Sequence, residues 1–564
     1  MTATQVRIDP VTSAVIAGSL ASISTEMGHK LARMSYSSII RESEDFGCVL
    51  LDARGQQLCE SPQSTPLQAG PVPGYIKGIN RRFAQTGQRW EPGDIVIHND
   101  AYYGASHGPD VAFCVPVFAQ DQLVGYSVVT AHHLDIGALV PGTVGIVEAT
   151  DTYAEGLQFN ALKLESAGRR NETLWQMIGD NLRISHIVLA DMEAQMTAAR
   201  LGAERFTELI TTYGIDTVQA AGVQQLDYSE AALRREIEKL PDGTYTAEGR
   251  MDGFTDSDDP KLRDWVIKVA LTVDGSNIHV DLTGTSPQVN RPYNMPFEGT
   301  VDVAVWLTIR SILLDTALSE NVPANSGLFR PITIEAPLGS MVNPVFPAPV
   351  NARATGGNMV AETVMRALAP VLPDRIASGI GNLKAIMITG VRNGQSWIHM
   401  EIIEGSYGGR MGKDGLDAVD TLYANTRNNP IEDIETHYPL RVTRYELTEN
   451  TAGDGKWRGG LGSIRDIEFL TEAGFNVDGD GSKYAPPGIF GGLPGTPGSV
   501  VLNPGTGTEE ALPTKLQSRS AAAGEVLRLV GPSAGGYGDP AERSAQARLD
   551  DRLDGFVSDE DGAP

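Results

Sequence analysis

Two apolar runs, Asp110–Phe118 (DVAFCVPVF) and Leu123–His133 (LVGYSVVTAHH), stand on either side of the short polar stretch Ala119-Gln120-Asp121-Gln122. Each run is long enough for a buried strand, and the link between them is too short for a crossover. The only arrangement open to them is an antiparallel hairpin. Its register has chemical content, because Asp110 opens one strand and His132 closes the other. A three-residue loop sets Asp110 opposite His132, and a two-residue loop shifts the match by one. In both cases His107, Asp110 and His132 meet at one end of the hairpin. Four of the nine histidines (His98, His107, His132 and His133) fall in this window, and the pattern H-x-x-D occurs twice, at His107–Asp110 and His132–Asp135. Two imidazoles and one carboxylate that leave open positions are the donor set of a Lewis-acid site for Mn²⁺, Zn²⁺ or Fe²⁺. His133 alternates to the other face of its strand from His132, so the two do not share an ion. His98 follows Ile95-Val96-Ile97 and reads as a hydrogen-bonded core histidine. Asp135 is placed to orient a ligating imidazole.

The remainder of the chain reads as α+β. Asp9-Pro10 starts a helix whose apolar stripe runs Ile16, Leu20, Ile23, Met27, Leu31 and Met34. Cys48–Leu58 reads as a hairpin around Ala53-Arg54-Gly55, and Asp94–His98 as a strand. Glu172–Tyr213 reads as helix, as does Ser229–Leu240 with Ser229 as its cap. A second β region turns at Asp274-Gly275-Ser276, with helices near Val301–Leu314 and Val360–Leu368 after it. This divides the chain into an N-terminal helix with a metal-bearing β region (1–165), a helical segment (166–242), an α/β middle (243–375), a β-rich glycine-containing region (376–540) and an acidic, frayed tail (541–564).

Charge excludes two partner classes. With 71 acids against 45 lysines and arginines the net charge is −26. That leaves no basic stripe for nucleic acid or for an anionic membrane surface. No window holds 18 uninterrupted apolar residues, and the first 18 residues make a poor signal peptide. Three cysteines (Cys48, Cys59, Cys114) build neither a disulfide framework nor a zinc finger, so a reduced cytoplasmic protein is expected. Nucleotide signatures fail as well. Tyr407–Asp414 (YGGRMGKD) has Tyr where a phosphate loop needs its first Gly, and Asp414 where it needs Ser or Thr. No G-x-G-x-x-G is present. Gly531–Gly535 (GPSAG) fits a nucleophile elbow, but no histidine follows it.

His98–Asp110 (HNDAYYGASHGPD) and Ala131–Gly137 (AHHLDIG) resemble the metal-site segments of the hydantoinase B/oxoprolinase family. Similar segments follow in the family's order at Arg41–Gly55, Glu155–Phe159, Asn351–Gly357, Gly412–Val419, Asn425–Leu440, Gly455–Gly462, Pro486–Gly498 and Gly535–Pro540. The family comprises B subunits of ATP-dependent hydantoinases, oxoprolinases and caprolactamase, and homologous subunits of acetone and acetophenone carboxylases. The resemblance implies a separate A-type subunit of actin-like fold that spends the ATP, in a hetero-oligomer. It implies a divalent metal, Mn²⁺ or Zn²⁺, on His107, Asp110 and His132, with Asp45 completing the shell. Asp45, His133, Asp135 and Glu155 are the candidate catalytic residues, and Arg410, Lys413 and Arg427 are candidates for holding a phosphorylated intermediate. The chain departs from the family at Ser64–Gly70, where STPLQAG stands in place of a pattern like H-I-P-V-H-L-G and two imidazoles are missing. Its length favours ATP-dependent opening of a cyclic amide, such as a hydantoin, oxoproline or lactam. The alternatives are ATP-dependent carboxylation of a ketone, with bicarbonate as co-substrate, and a non-catalytic scaffold for the ATPase subunit.

Overall fold

The computed structural model describes residues 8–315 and 322–558. It is an α+β molecule of four sheets and their covering helices. The sheet that matters most has seven strands: β1 (Phe46–Asp52), β2 (Gln57–Glu60), β3 (Ile95–His98), β4 (Asp110–Ala119), β5 (Gln122–His132), β6 (Leu162–Ser166) and β7 (Arg169–Arg170). Their order is β2-β1-β5-β4-β3-β6-β7, and every pairing is antiparallel.

Helices cover this sheet on both faces, which explains apolar runs that do not alternate. One face packs on the first helix, Pro10–Met34, through Ile16, Leu20, Ile23, Met27 and Leu31, and on Val188, Met192 and Met196 of a later helix. The other face packs on Tyr75, Ile76, Ile79 and Phe83 of helix Val72–Thr86. Asp9 caps the first helix by accepting from the amides of Val11 and Thr12. Met34, the last residue of the expected stripe, is exposed.

The β4–β5 register pairs Asp110 with His132, and it does so by an unexpected route. The loop is a two-residue turn, Gln120-Asp121, with both φ positive (50° and 63°). A bulge between Val117 and Phe118 then shifts the register by one and restores the match.

Three further expectations change. The 172–213 segment is two helices, Glu172–Asp180 and Ser185–Tyr213, because Arg183 between them is drawn to Asp135. Ser229 does not cap a helix. It is buried inside helix Ile215–Ile237 and donates to the Pro323 carbonyl. The acidic C-terminal segment is not frayed over its described part: Ser544 caps helix Ala545–Leu553. Arg543 and Arg458 both pair with Asp551 and hold that helix to the body. Residues 559–564 and the first seven residues of the chain, which include the start of the signal-peptide reading, lie outside the described residues.

The second sheet (Gly243–Gly253, Arg263–Asp274, Asn277–Asp281, Ile332–Glu335) backs onto helices Asp302–Leu313 and Ala354–Ala367. The last two sheets, formed by strands between Lys384 and Val530, share one core around Ile386, Ile388, Ile467, Phe475 and Leu527. Among the described residues no helix is long and apolar enough to cross a membrane. All three cysteines are buried free thiols.

Candidate metal centre

Three adjacent strands deliver the ligands by their ends. Asp110 is the first residue of β4 and His132 the last of β5. Asp45 directly precedes β1, which pairs with β5, and its carbonyl accepts the His132 amide at 3.1 Å. His107 lies three residues before Asp110. His107, Asp110 and His132 form the one group of metal-ligating side chains of this kind among the described residues.

The hydrogen-bond network fixes both imidazole tautomers. His107 Nδ1 lies 2.8 Å from the Asn351 carbonyl, which only accepts, so Nδ1 carries the proton and Nε2 is bare. The Thr143 hydroxyl donates its hydrogen to the His133 carbonyl at 2.9 Å. It must therefore accept from His132 Nε2 at 3.0 Å, which leaves His132 Nδ1 bare. The two bare nitrogens both face Asp110 Oδ1, at 2.9 Å from His107 and 3.1 Å from His132. His107 Nε2 has no hydrogen-bond partner. Three lone pairs converging in a buried space repel one another unless a cation lies among them. The donor set therefore fits a divalent ion, with nitrogen and carboxylate ligands suited to Mn²⁺ or Zn²⁺.

The surrounding groups keep the ligands in the charge states that binding requires. Burial pushes His107 down to about 4, so its imidazole is neutral. Burial opposes the charge on Asp110, but the pull of its neighbours, the Arg353 guanidinium among them, outweighs it and holds this carboxyl well below the usual range. Asp110 Oδ2 accepts from Arg353 at 2.7 Å and from the Ser106 hydroxyl at 2.6 Å. Asp45 stands one step out, with Oδ2 4.0 Å from His132 Nδ1. Burial is the main cause that pushes its carboxyl up to about 6, against the pull of His132 and with a further push from Asp110.

Glu155 is a support for this centre. Its Oε1 accepts from the amides of Val350 (2.8 Å) and Asn351 (2.7 Å), and the Asn351 carbonyl is what orients His107. His133 and Asp135 do not join the cluster. His133 faces the long helix and binds Gln195 Oε1 at 2.8 Å. Asp135 accepts from the Arg183 amide at 2.6 Å and from its guanidinium at 3.1 Å, so it orients no imidazole. Arg427 pairs with Glu44, the neighbour of Asp45, at 3.1 Å. Arg410 and Lys413 are exposed and cross-bonded over a tight turn, so they stand outside the buried cluster. Asp414, next to them, ties Arg543 and the Arg458 amide. His98 is satisfied on both nitrogens, by Tyr103 O and the Ala161 amide.

Sequence reasoning assigned no role to Gln68, Asn351, Arg353 or Thr143, all of which touch the centre. Gln68 Nε2 donates to Asp110 Oδ1 at 2.8 Å and to Asp45 Oδ1 at 3.1 Å. Its helix, Pro66–Ala69, approaches β1 closely enough that a Cβ on Gly47 would lie 2.9 Å from both Gln68 C and Ala69 N. The one available signal for Gln68 was its place in the segment that departs from the family pattern. A lone buried arginine 243 residues from its carboxylate leaves no local signal.

A family model for hydantoinase B/oxoprolinase matches residues 9–540. The B subunit of a putative D-/L-hydantoinase from Pseudomonas sp. is 57% identical over 98% of this chain and 94% of its own length. The beta subunit of caprolactamase from Pseudomonas jessenii is 30% identical over 98% of this chain and 94% of its own. The crystal structure of the ATP-dependent caprolactamase from that organism superposes with a TM-score of 0.85 at 26% identity, covering 98% of this chain and 95% of the other. A nucleotide-free acetone carboxylase shares the fold, with a TM-score of 0.87 at 17% identity over 97% of this chain and 78% of the other. By sequence over nearly its whole length, and by fold, the chain belongs to the hydantoinase B/oxoprolinase family.

Proposed function

We propose that the chain is the metal-bearing B-type subunit of an ATP-dependent cyclic-amide hydrolase, acting with a separate ATPase subunit. The observation that carries the reading is the pair of bare imidazole nitrogens aimed at one carboxylate oxygen, in a chain 57% identical to the B subunit of a putative hydantoinase. A scaffold has no use for such a buried cluster.

An unstrained cyclic amide is a poor electrophile; phosphorylation of its oxygen by the partner's ATP makes the carbon electrophilic, so that water can add, the ring C–N bond can break with the nitrogen taking a proton, and the resulting acyl phosphate can be hydrolysed to carboxylate and phosphate. A divalent cation held by His107, Asp110 and His132 would supply Lewis-acid catalysis of that addition. The chain's own residues do the rest. His107 and His132 each turn a ring nitrogen to Asp110 Oδ1, and their opposite nitrogens are held by Asn351 and Thr143. Arg353 keeps Asp110 anionic. Asp45, one step out from those three, is the carboxyl placed to hold or pass a proton there. Of Arg410, Lys413 and Arg427, the one we assign to a phosphoryl oxygen is Arg427, which pairs with Glu44, the neighbour of Asp45.

Elemental analysis of the purified protein is expected to find about one Mn or Zn per chain. His107→Ala and His132→Ala should lose the metal, together with ring opening by the complex reconstituted with its ATPase subunit. Full metal content and activity in both variants would leave the scaffold reading standing. ATP consumption driven by ketones alone, with labelled bicarbonate fixed into acid, would assign a carboxylase instead.

A further inference from the structure

The first helix, Pro10–Met34, turns its inner stripe from Ile16 to Leu31 onto the seven-stranded sheet and leaves its outer side uncovered. That outer side and Leu201 of helix Ser185–Tyr213 wall a groove of about 820 Å³ running from Ala21 to Met34, about 20 Å of helix. In a chain of net charge −26 this groove gathers cations. Lys30 and Arg33 line it, are exposed, and make no ion pair with any described residue. Its one acid, Glu26, is paired with Arg205 at 3.3 Å. Between them the wall is low: Ala21 is small, and the hydroxyls of Ser22 and Thr25 fold back to donate to the Gly18 and Ala21 carbonyls of their own helix. An incoming backbone can therefore come close without meeting a long side chain or a competing donor. The groove ends on Met34, which is exposed although it ends the apolar stripe, and Tyr36 just beyond it is exposed as well.

We infer that this groove docks an acidic amphipathic helix of the ATPase subunit. The inference rests on the reading of the chain as one of two subunits and deepens it by naming the contact. Groove length, a low wall and an apolar anchor at one end are the features by which one helix seats another. Charge selects the occupant. Acids on the incoming helix would neutralise Lys30 and Arg33, two cations that nothing in the groove balances, and its apolar side would cover Met34 and Tyr36. A second copy of this chain is the poorer fit: about a twofold axis on this face Lys30 and Arg33 meet their own images, and two bodies of net charge −26 repel. A nucleic acid or an anionic membrane meets the same repulsion from the rest of the surface. Contacts of this kind steer association and weaken as salt screens them.

The test measures binding of the purified ATPase subunit to the metal-loaded full chain by sedimentation velocity, for wild type and Lys30→Glu/Arg33→Glu. A control, Arg410→Glu/Lys413→Glu, makes the same charge reversals on an exposed turn outside the groove. The groove variant is expected to bind roughly tenfold or more weakly, with metal content and melting temperature unchanged because both side chains are exposed. The control should bind like the wild type. Raising salt should weaken the wild type more than the groove variant. Wild-type affinity in the groove variant overturns the inference, and so does an equal loss in both variants, which would report net charge alone. Loss of association between copies of this chain, with ATPase binding kept, assigns the groove to a second copy and also overturns it. Failure of the wild type itself to bind the ATPase subunit removes the two-subunit reading, and the inference with it.

Discussion

Replacing Arg353 by Met tests the electrostatic logic of the metal centre. Arg353 is 1% exposed; it donates to Asp110 Oδ2 at 2.7 Å and to the Tyr423 hydroxyl at 2.9 Å. Met keeps most of the stem volume and removes the charge. Without a cation in the site, Asp110 becomes a buried carboxylate faced by two bare nitrogens, with only Gln68 and Ser106 left as donors. Breaking a buried pair in this way costs about 3–5 kcal/mol. At about 2.1 cal/mol/K per residue, a 564-residue chain melts with an entropy of roughly 1.2 kcal/mol/K, so the expected loss is about 2.5–4 °C. With saturating Mn²⁺ two positive charges return at Asp110 Oδ1, and the loss should be at most half as large. The stabilisation gained from the metal is therefore greater in the variant than in the wild type. Thermal melts in chelator and in Mn²⁺, run side by side on both proteins, read this difference of differences. An equal loss in both conditions would refute the argument and reduce Arg353 to a packing residue.

Gly47→Ala should force the Gln68 helix away from β1, because the new Cβ meets backbone atoms at 2.9 Å; urea unfolding should show a loss of about 1–3 kcal/mol, with weaker Mn²⁺ binding by titration. Asp302→Asn tests pH dependence away from the ligands. Burial pushes the Asp302 carboxyl up to about 7 even though it accepts from the amides of Gly299 and Val303. A raised native value means the folded state holds the proton longer, so the stability this group contributes is fully present below about pH 4 and is lost as pH rises to about 7, a span worth about 4 kcal/mol. Asn keeps the acceptor and has no charge to bury, so the wild type should fall relative to the variant across that window and run parallel to it above; parallel curves throughout would count against the assignment.

The hairpin was legible from the chain because two apolar runs around a four-residue link, three of its residues polar, leave one solution. The first helix was legible because its stripe and its cap are local. Those same local rules located His107, Asp110 and His132, since strand ends and a period of two place them together. The register itself needed the structure: a two-residue turn gives the wrong match, and the bulge at Val117/Phe118 corrects it. Strand alternation turned His133 away from His132, but only packing supplied Gln195 as its partner. Asp135, Glu155, Arg353 and Gln68 show where local reading stops. Each is a buried polar group whose role is set by the partner that satisfies it, and those partners lie 48, 196, 243 and 42 residues away. Sequence determines which groups must be buried and must find a partner; only the tertiary fold decides which partner, because desolvation penalises every polar group alike while hydrogen bonds form only between atoms the packing has brought within about 3 Å.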